Sequence, residues 1–189
     1  ISVGSLVFPP FLYLSPILWG SMIPFRSLSG KSLLASLLGI ITPYWFLFGY
    51  CFYFDQMPLF LAPLQEMILF YPIDYGHLTI SEIASWGTIT LLLIISGFHY
   101  WQMSYMDKTR TRIYHSFLVI VGLYVTLWSI LQPNYMRELM VIELICASFL
   151  SGHLFTLTRN RFSGIFFIVT FITIILLTIF NLWMQFFNF

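Results

Sequence analysis

Residues 104–112 read Ser-Tyr-Met-Asp-Lys-Thr-Arg-Thr-Arg and hold three of the eight Lys and Arg residues of the chain. A long apolar run lies on each side, from Trp86 to Met103 and from Ile113 to Leu131. Each run approaches the ~20 residues that a membrane-crossing helix needs. We therefore interpret residues 104–112 as a cytoplasmic hairpin between two transmembrane helices.

The whole chain has the composition of a membrane protein. Of its 189 residues, 59% are hydrophobic and 8% are charged, and the mean hydropathy is +0.89, whereas soluble domains carry roughly 25% charged residues. A formal net charge of +1 without a basic run argues against a nucleic-acid partner. Cys51 and Cys146 form no spaced redox or zinc motif, so we predict two core cysteines, no metal and no cofactor.

Further apolar runs predict an all-α fold, a polytopic transmembrane helical bundle that forms a single domain over 1–189. The six predicted spans are about 3–22, 32–54, 82–103, 112–131, 138–157 and 164–183. Prolines 9, 10 and 16 interrupt the first run, and a proline inside a helix removes a backbone hydrogen bond. We therefore expect a kinked or two-part first helix that packs against partners.

The longest interruption between spans is residues 55–81, which contain no Lys or Arg. Their middle, residues 59–71, is too apolar for a solvated loop and too short to cross a membrane. We predict an interfacial or re-entrant helix there, on the extracytoplasmic side. Trp86, Trp128 and Trp183 are expected at the outer interface, where indole rings sit at headgroup level.

The distribution of Lys and Arg predicts the orientation. Seven of the eight lie in three alternate loops, 24–31, 104–112 and 158–163, and Arg137 is the exception. Short cytoplasmic loops are enriched in these residues, so we predict that these loops are cytoplasmic and the C-terminus extracytoplasmic. Six of the basic residues are candidates for contact with anionic headgroups or phosphate, although a purely topogenic role is the simpler explanation. They are Arg26, Lys108, Arg110, Arg112, Arg159 and Arg161.

Three histidines, His99, His115 and His153, each lie near the predicted cytoplasmic end of a span and beside small or polar residues. Because each lies near the same end of its span, the three rings could share one depth. Small residues in spans favour contact with protein over lipid. Such rings could ligate a metal or a b-type haem, or could bind or protonate the phosphate of a lipid-linked substrate. Interface packing and a helix-to-helix hydrogen bond for His153 are the structural alternative.

Two acids also need an explanation. Glu143 lies inside the fifth predicted span, where an ionisable group is costly and is a functional candidate by default. Its distance from the outer end also allows access to water and a pair with Arg137. For Asp107 we expect a solvated local pair with Lys108 or Arg110.

Several short strings, spread over essentially the whole chain, resemble those of uncharacterised multi-pass inner-membrane proteins of Bacteroidota. They are 1–6 (ISVGSL), 8–10 (FPP), 25–29 (FRSLS), 42–46 (TPYWF), 107–112 (DKTRTR), 131–133 (LQP), 152–158 (GHLFTLT) and 181–184 (NLWM). The resemblance implies a bacterial inner (cytoplasmic) membrane and a parent protein that is longer at the N-terminus, which agrees with a start at Ile1 rather than Met. It implies no reaction.

Two functions follow as hypotheses. The first is a structural or assembly subunit that packs against partner membrane proteins, as the broken first span and the Ala35/Gly39 small pair suggest. The alternative is an enzyme or transporter that handles a polyprenyl-phosphate or other lipid-linked substrate near the basic residues. The bilayer itself is a partner in both, and the sequence leaves a catalytic and a non-catalytic function open.

Overall fold

The structure is a computed structural model that describes residues 2–68, 73–157 and 161–187. All regular elements in these residues are helical, so the predicted all-α helical bundle is confirmed. The chain folds as two compact units, Ile1–Tyr71 and Pro72–Phe189. Its organisation as a single domain over 1–189 stays a prediction.

The first predicted span is divided into three short helical pieces. These are α1 (Ser2–Val7), a 3₁₀ segment (Pro9–Leu14) and α2 (Ser15–Ser21). Prolines stand in the first two positions of the second and third pieces, where the missing N–H costs nothing because it would have no intrahelical acceptor. The break that we expected is therefore present, with one more piece than a two-part helix.

The first unit continues with a long helix, α3 (Gly30–Tyr53), and a shorter one, α4 (Met57–Ile68). Asp55 adopts a left-handed φ of 54° just beyond α3, and the next N–H, that of Gln56, donates to the carbonyl of Cys51 at 2.8 Å. This pattern is a Schellman C-cap. The helix predicted over 59–71 is thus present through Ile68, and 69–71 lie outside the described residues; its interfacial location stays a prediction.

The second unit is built from four long helices. They are α5 (Ile80–Met103), α6 (Thr109–Leu131), α7 (Met136–Leu157) and α8 (Arg161–Phe187). Short 3₁₀ turns join α5 to α6 and α6 to α7. Helix α7 makes most of its contacts with α5 and α6 and is the central helix of the unit.

Five of the described helices are long and apolar enough to cross a membrane. The segments are Gly30–Tyr53, Ile80–Met103, Thr109–Leu131, Pro133–Thr156 and Gly164–Met184. Each exceeds the ~20 residues that the hydrocarbon core requires. The chain is therefore an integral membrane protein.

Helices α5 and α7 run in the same direction. Thr90 in the middle of α5 contacts Glu143 in the first half of α7, and Tyr100 contacts His153 near the ends of both helices. The 104–112 turn and the end of α7 consequently lie at the same end of the bundle, and the turn before α7 lies at the other. The side on which loops 24–31 and 158–163 lie stays a prediction, and residues 158–160 are outside the described part of the chain.

The centre of the second unit is a small apolar core. Leu93 from α5 and the adjacent Cys146 and Ala147 from α7 are buried there. Gly122 brings α6 close to both helices, since a Cβ atom at this position would lie 2.5 Å from Leu93 Cδ1 and 3.4 Å from Cys146 Cβ. The close approach of the three helices therefore depends on a glycine.

Candidate functional site

Glu143 is completely buried between three helices. Its exposed fraction is 0%, and its Oε1 accepts hydrogen bonds from Thr90 Oγ1 of α5 and Thr126 Oγ1 of α6, both at 2.7 Å. The indole of Trp86 also interacts with the carboxyl. A buried carboxyl without partners would be strongly destabilising, and two hydroxyl donors from neighbouring helices reduce that cost.

The hydrogen bonds around Glu143 suit both protonation states. The Thr126 hydroxyl lies 2.7 Å from Glu143 Oε1 and 2.9 Å from the Gly122 carbonyl oxygen, but it has a single proton to donate. When Glu143 is ionised, that proton goes to the carboxylate. When Glu143 is protonated, its own hydroxyl can donate to Thr126, which then donates to Gly122. The site can therefore take up a proton without losing its hydrogen bonding.

The second carboxyl oxygen has spare capacity. Glu143 Oε2 and Trp86 Nε1 are both buried, and neither makes a hydrogen bond of good geometry within the described residues. Glu143 Oε2 can therefore bind a proton or accept a hydrogen bond from a water molecule. Trp86 thus contacts a carboxyl inside the bundle, and its expected position at headgroup level stays a prediction.

The pair of Glu143 with Arg137 that the sequence allowed is not formed. Arg137 donates through Nε to Glu82 Oε1 instead. Glu82 also accepts from the backbone N–H of Thr79 and forms the capping box that begins α5. The ion pair lies at the first turns of α5 and α7, whereas Glu143 lies about two turns further along α7.

A second polar group, which we call the histidine cluster, consists of Tyr100, Asp107, His115 and His153. The rings of His115 and His153 have centroids 4.2 Å apart, and the Tyr100 ring lies 5.6 Å from the first and 5.8 Å from the second. The Tyr100 hydroxyl donates to the Arg112 carbonyl at 2.7 Å. His115 Nδ1 lies 2.9 Å from the carbonyl oxygen of Thr111, one turn earlier in the same helix.

Asp107 belongs to this cluster and not to a solvated local pair, which corrects our expectation. Its Oδ2 lies 2.9 Å from His153 Nε2, and the two side chains are only 8% and 7% exposed. The two groups are not aligned as a good hydrogen bond, but they form an ion pair whenever the imidazole is protonated. The contact ties the turn between α5 and α6 to α7.

His99 lies beside the cluster. It is close enough to His153 for the two rings to interact electrostatically, and both of its ring nitrogens are buried without a hydrogen-bond partner among the described residues. One turn earlier on α5, the Ser96 hydroxyl is also fully buried and unpaired within the described chain. Along the axis of α5, Ser96 lies between the cluster and the level of Thr90, although the two side chains are on different faces of the helix.

The three predicted histidines are therefore near one another, but the spacing of two of them does not suit a haem. Two imidazoles that bind one iron from opposite sides need centroids about 6 Å apart, given ~2.0–2.1 Å for each metal–nitrogen bond. His115 and His153 are closer than that, at 4.2 Å. In the described part of the chain, no three His, Cys, Asp or Glu side chains form a group that could hold a metal ion.

The predicted basic residues are distributed over both units. Lys108, Arg110 and Arg112 are exposed at the histidine-cluster end of the second unit, and Arg26 is exposed in the first unit. Arg161 begins α8, and Arg159 lies outside the described residues. Three of the six candidates thus share one end of a bundle with the histidines.

Several residues of the site were missed in the sequence. Thr90 and Thr126 are ordinary in apolar helices, and only the pairing of α5 and α6 with α7 brings them to Glu143. Tyr100 had one available signal, since it follows His99 directly and precedes a polar turn. For Asp107, the neighbouring basic residues made a local ion pair the simplest interpretation, so its contact with His153 was not predicted.

Comparisons of the chain with protein-family models, with curated proteins and with solved structures find no match. The features of the chain that indicate a function are therefore the buried carboxyl and the histidine cluster.

Proposed function

We propose that this integral membrane protein is a proton-coupled transporter in which Glu143 binds and releases the proton. The observation that carries the proposal is the fully buried carboxyl with hydrogen bonds that fit both protonation states. Ionisable groups inside a bundle are costly, and chains of Asp, Glu and His typically mark proton paths in pumps and transporters.

The path toward the histidine cluster supports this function. Glu143 and His153 are ten residues apart on α7, which is ~15 Å along a helix axis. Ser96 and His99 offer buried, unpaired polar atoms on α5 in the intervening part. Leu93 and Cys146 form an apolar layer between the two ends, so a proton crosses only when the helices around Gly122 separate or admit water.

The first test is direct detection of proton binding. Infrared difference spectra of the purified protein, recorded on changing the pH, are expected to contain a carboxyl band that Glu143→Gln removes. Glu138 is exposed on the same helix, so Glu138→Gln should leave this band unchanged. A spectrum without any band that depends on Glu143, at every pH at which the protein stays folded, contradicts the proposal.

The second test measures transport. Proteoliposomes that contain the anionic lipid-linked substrate, with a pH-sensitive dye inside and an interior-negative membrane potential, are expected to acidify faster than the same liposomes without the protein. Glu143→Gln should reduce the rate to that of empty liposomes, and Glu138→Gln should keep it. If Glu143→Gln transports protons at the wild-type rate, the carboxyl is not the proton carrier.

The substrate that we propose is anionic and lipid-linked, of the polyprenyl-phosphate type. The support is the exposed basic group of Lys108, Arg110 and Arg112, which lies beside His115 and His153. A basic residue near a membrane surface attracts anionic headgroups by ~1 kcal/mol, and an imidazole can bind or protonate a phosphate. Arg110→Ala tests the contact between the basic group and the lipid phosphate. It should weaken the binding of such a lipid and leave the infrared band of Glu143 unchanged.

A second candidate function is that of an assembly subunit. Ala35 and Gly39 are exposed on one face of α3, and a Cβ at Gly39 would meet nothing within 4 Å. Such small pairs let a second helix approach closely in lipid. If this face binds a partner, the protein purifies with other membrane subunits and Gly39→Leu releases them; isolation as a lone monomer argues against it.

The proposed location is the bacterial inner membrane, in agreement with the resemblance to Bacteroidota proteins. The loops 24–31, 104–112 and 158–163 are proposed to be cytoplasmic and the C-terminus extracytoplasmic. The excess of Lys and Arg in these loops supports this orientation.

A further inference from the structure

The second unit contains an open cavity with both polar and apolar lining residues at the end opposite the histidine cluster. It has a volume of about 630 Å³ and lies among the beginnings of α5 and α7 and the last turns of α8. Its lining includes the ion pair of Glu82 and Arg137, the hydroxyl residues Ser81 and Ser85, and Asn181. Volumes of roughly 300–1,000 Å³ are usual for small-ligand sites.

The cavity lies at one end of the three helices, which is where the interface of a membrane that they cross is expected. The contacts of Glu82 with Arg137 and of Ser85 with Asn181 join the three helices near their ends and not at their middles. Helix α8 is exposed along most of its length, as expected for a helix whose surface faces lipid. A lipid headgroup can therefore reach the cavity.

The charges of the cavity favour a ligand that carries both signs. Arg137 is 68% exposed and uses its Nε for Glu82, and a guanidinium has further N–H donors that suit a phosphate. Glu82 supplies the opposite charge. One cationic and one anionic side chain leave the lining neutral, so a zwitterion matches it better than a net anion.

Asn181 identifies the second half of that ligand as a hydrogen-bond donor. Its Nδ2 donates to Ser85 Oγ at 2.9 Å, which directs Oδ1 away from that serine. Asn181 Oδ1 has no hydrogen-bond partner among the described residues and is closed to solvent, so a ligand in the cavity reaches it when the Asn181 side chain turns toward the cavity. A buried acceptor without a donor is unfavourable, and a primary ammonium group carries three donors.

We propose that this cavity binds a phosphoethanolamine group, with the phosphate on Arg137 and the ammonium between Asn181 Oδ1 and Glu82. A phosphatidylethanolamine headgroup and a free phosphoethanolamine carry the same chemistry. A phosphocholine group has the same charges but no N–H donor, and it leaves Asn181 unsatisfied. This site is independent of the proton function that we propose for Glu143.

Lipid titration with native mass spectrometry of the purified protein tests this site. Phosphatidylethanolamine is expected to bind at least about tenfold more tightly than phosphatidylcholine or phosphatidylglycerol, the factor that one charge-assisted hydrogen bond provides. Asn181→Leu should remove the preference over phosphatidylcholine. Arg137→Gln should weaken the binding of both lipids, because both carry the phosphate.

Two control variants separate binding from folding. Thr178 is exposed on α8 and bonds only to its own helix at Ile174, so Thr178→Val should keep the preference. Asn181→Asp retains the size and the acceptor and should keep or strengthen it. Equal affinity for the three lipids in the wild-type protein, or an unchanged preference in Asn181→Leu, overturns the proposal.

A competition arm identifies the source of the group. Soluble O-phosphoethanolamine that displaces the lipid indicates a site for the free group. If it does not displace the lipid although the preference for phosphatidylethanolamine is present, the acyl chains contribute and the ligand is the lipid itself.

Discussion

At the scale of single residues, the energetics of Glu143 depend on its two threonine donors. Thr126→Val keeps the shape of the side chain and leaves Glu143 Oε1 with the hydroxyl of Thr90 as its one hydroxyl donor. We expect the free energy of unfolding in mild detergent to fall by about 1–3 kcal/mol, the cost of a buried acceptor that loses a partner.

A double-mutant cycle shows whether this loss acts through the carboxyl. In a Glu143→Leu background the cost of Thr126→Val should fall below about 1 kcal/mol, since the buried carboxyl is gone. Thr178→Val is the matched control, because this exposed threonine makes the same type of bond to its own helix. Equal losses in both backgrounds would assign the effect of Thr126 to α6 alone.

The three histidines illustrate what residue-level inference can reach. Their position near one end of each helix predicted a common depth, and the structure brings His115 and His153 into ring contact with His99 beside them. The sequence left the choice of partner open. Asp107 pairs with a histidine 46 positions away and not with its neighbour Lys108, because the fold of the turn withdraws the acid from water.

At the scale of elements, the packing of α6 against α5 and α7 depends on Gly122. Adding one methyl group places it 2.5 Å from Leu93 Cδ1, and Leu93 is itself only 1% exposed and has little room to move. Gly122→Ala should therefore lower the free energy of unfolding by about 1–3 kcal/mol, as overpacked cores do. Thermal or denaturant unfolding in detergent measures it.

Gly97 provides the matched control. A Cβ there would meet Val119 at 3.8 Å, which is an ordinary contact. Gly97→Ala should therefore be neutral or stabilising by up to about 1 kcal/mol, because alanine has the higher helix propensity. A Gly122→Ala protein as stable as Gly97→Ala would mean that the three helices pack less closely than described.

At the scale of the whole molecule, orientation in the membrane is the central prediction. Residues 108 and 134 flank α6, whose 23 residues rise by ~35 Å, more than the ~30 Å hydrocarbon core. Both positions are exposed. In intact bacteria an impermeant maleimide should label Asn134→Cys but not Lys108→Cys, and in inverted membrane vesicles the reverse.

The two native cysteines should contribute little background labelling in this experiment. Cys51 and Cys146 are both free and buried, so the unsubstituted protein should show little labelling. Labelling of Lys108→Cys from outside intact cells would reverse the orientation, whereas labelling of both positions from one side would rule out a crossing by α6.

The sequence by itself determined the helical class, five of the six predicted spans as long apolar helices, and the broken first segment. These properties are local: the length of an apolar run decides whether a helix can cross a bilayer, and a proline ends or starts a helix wherever it stands. Local properties of the sequence also predicted a helix within 55–81 and a polar turn at 104–112.

Only the tertiary structure decided which polar groups meet. Glu143 takes its donors from Thr90 and Thr126, Arg137 pairs with Glu82, and Asp107 reaches His153. These contacts depend on the rotation and vertical offset of each helix, which are set by side-chain packing between distant segments, such as Leu93 against Gly122. No single run of residues contains that information, so the site emerges only when three helices are packed together.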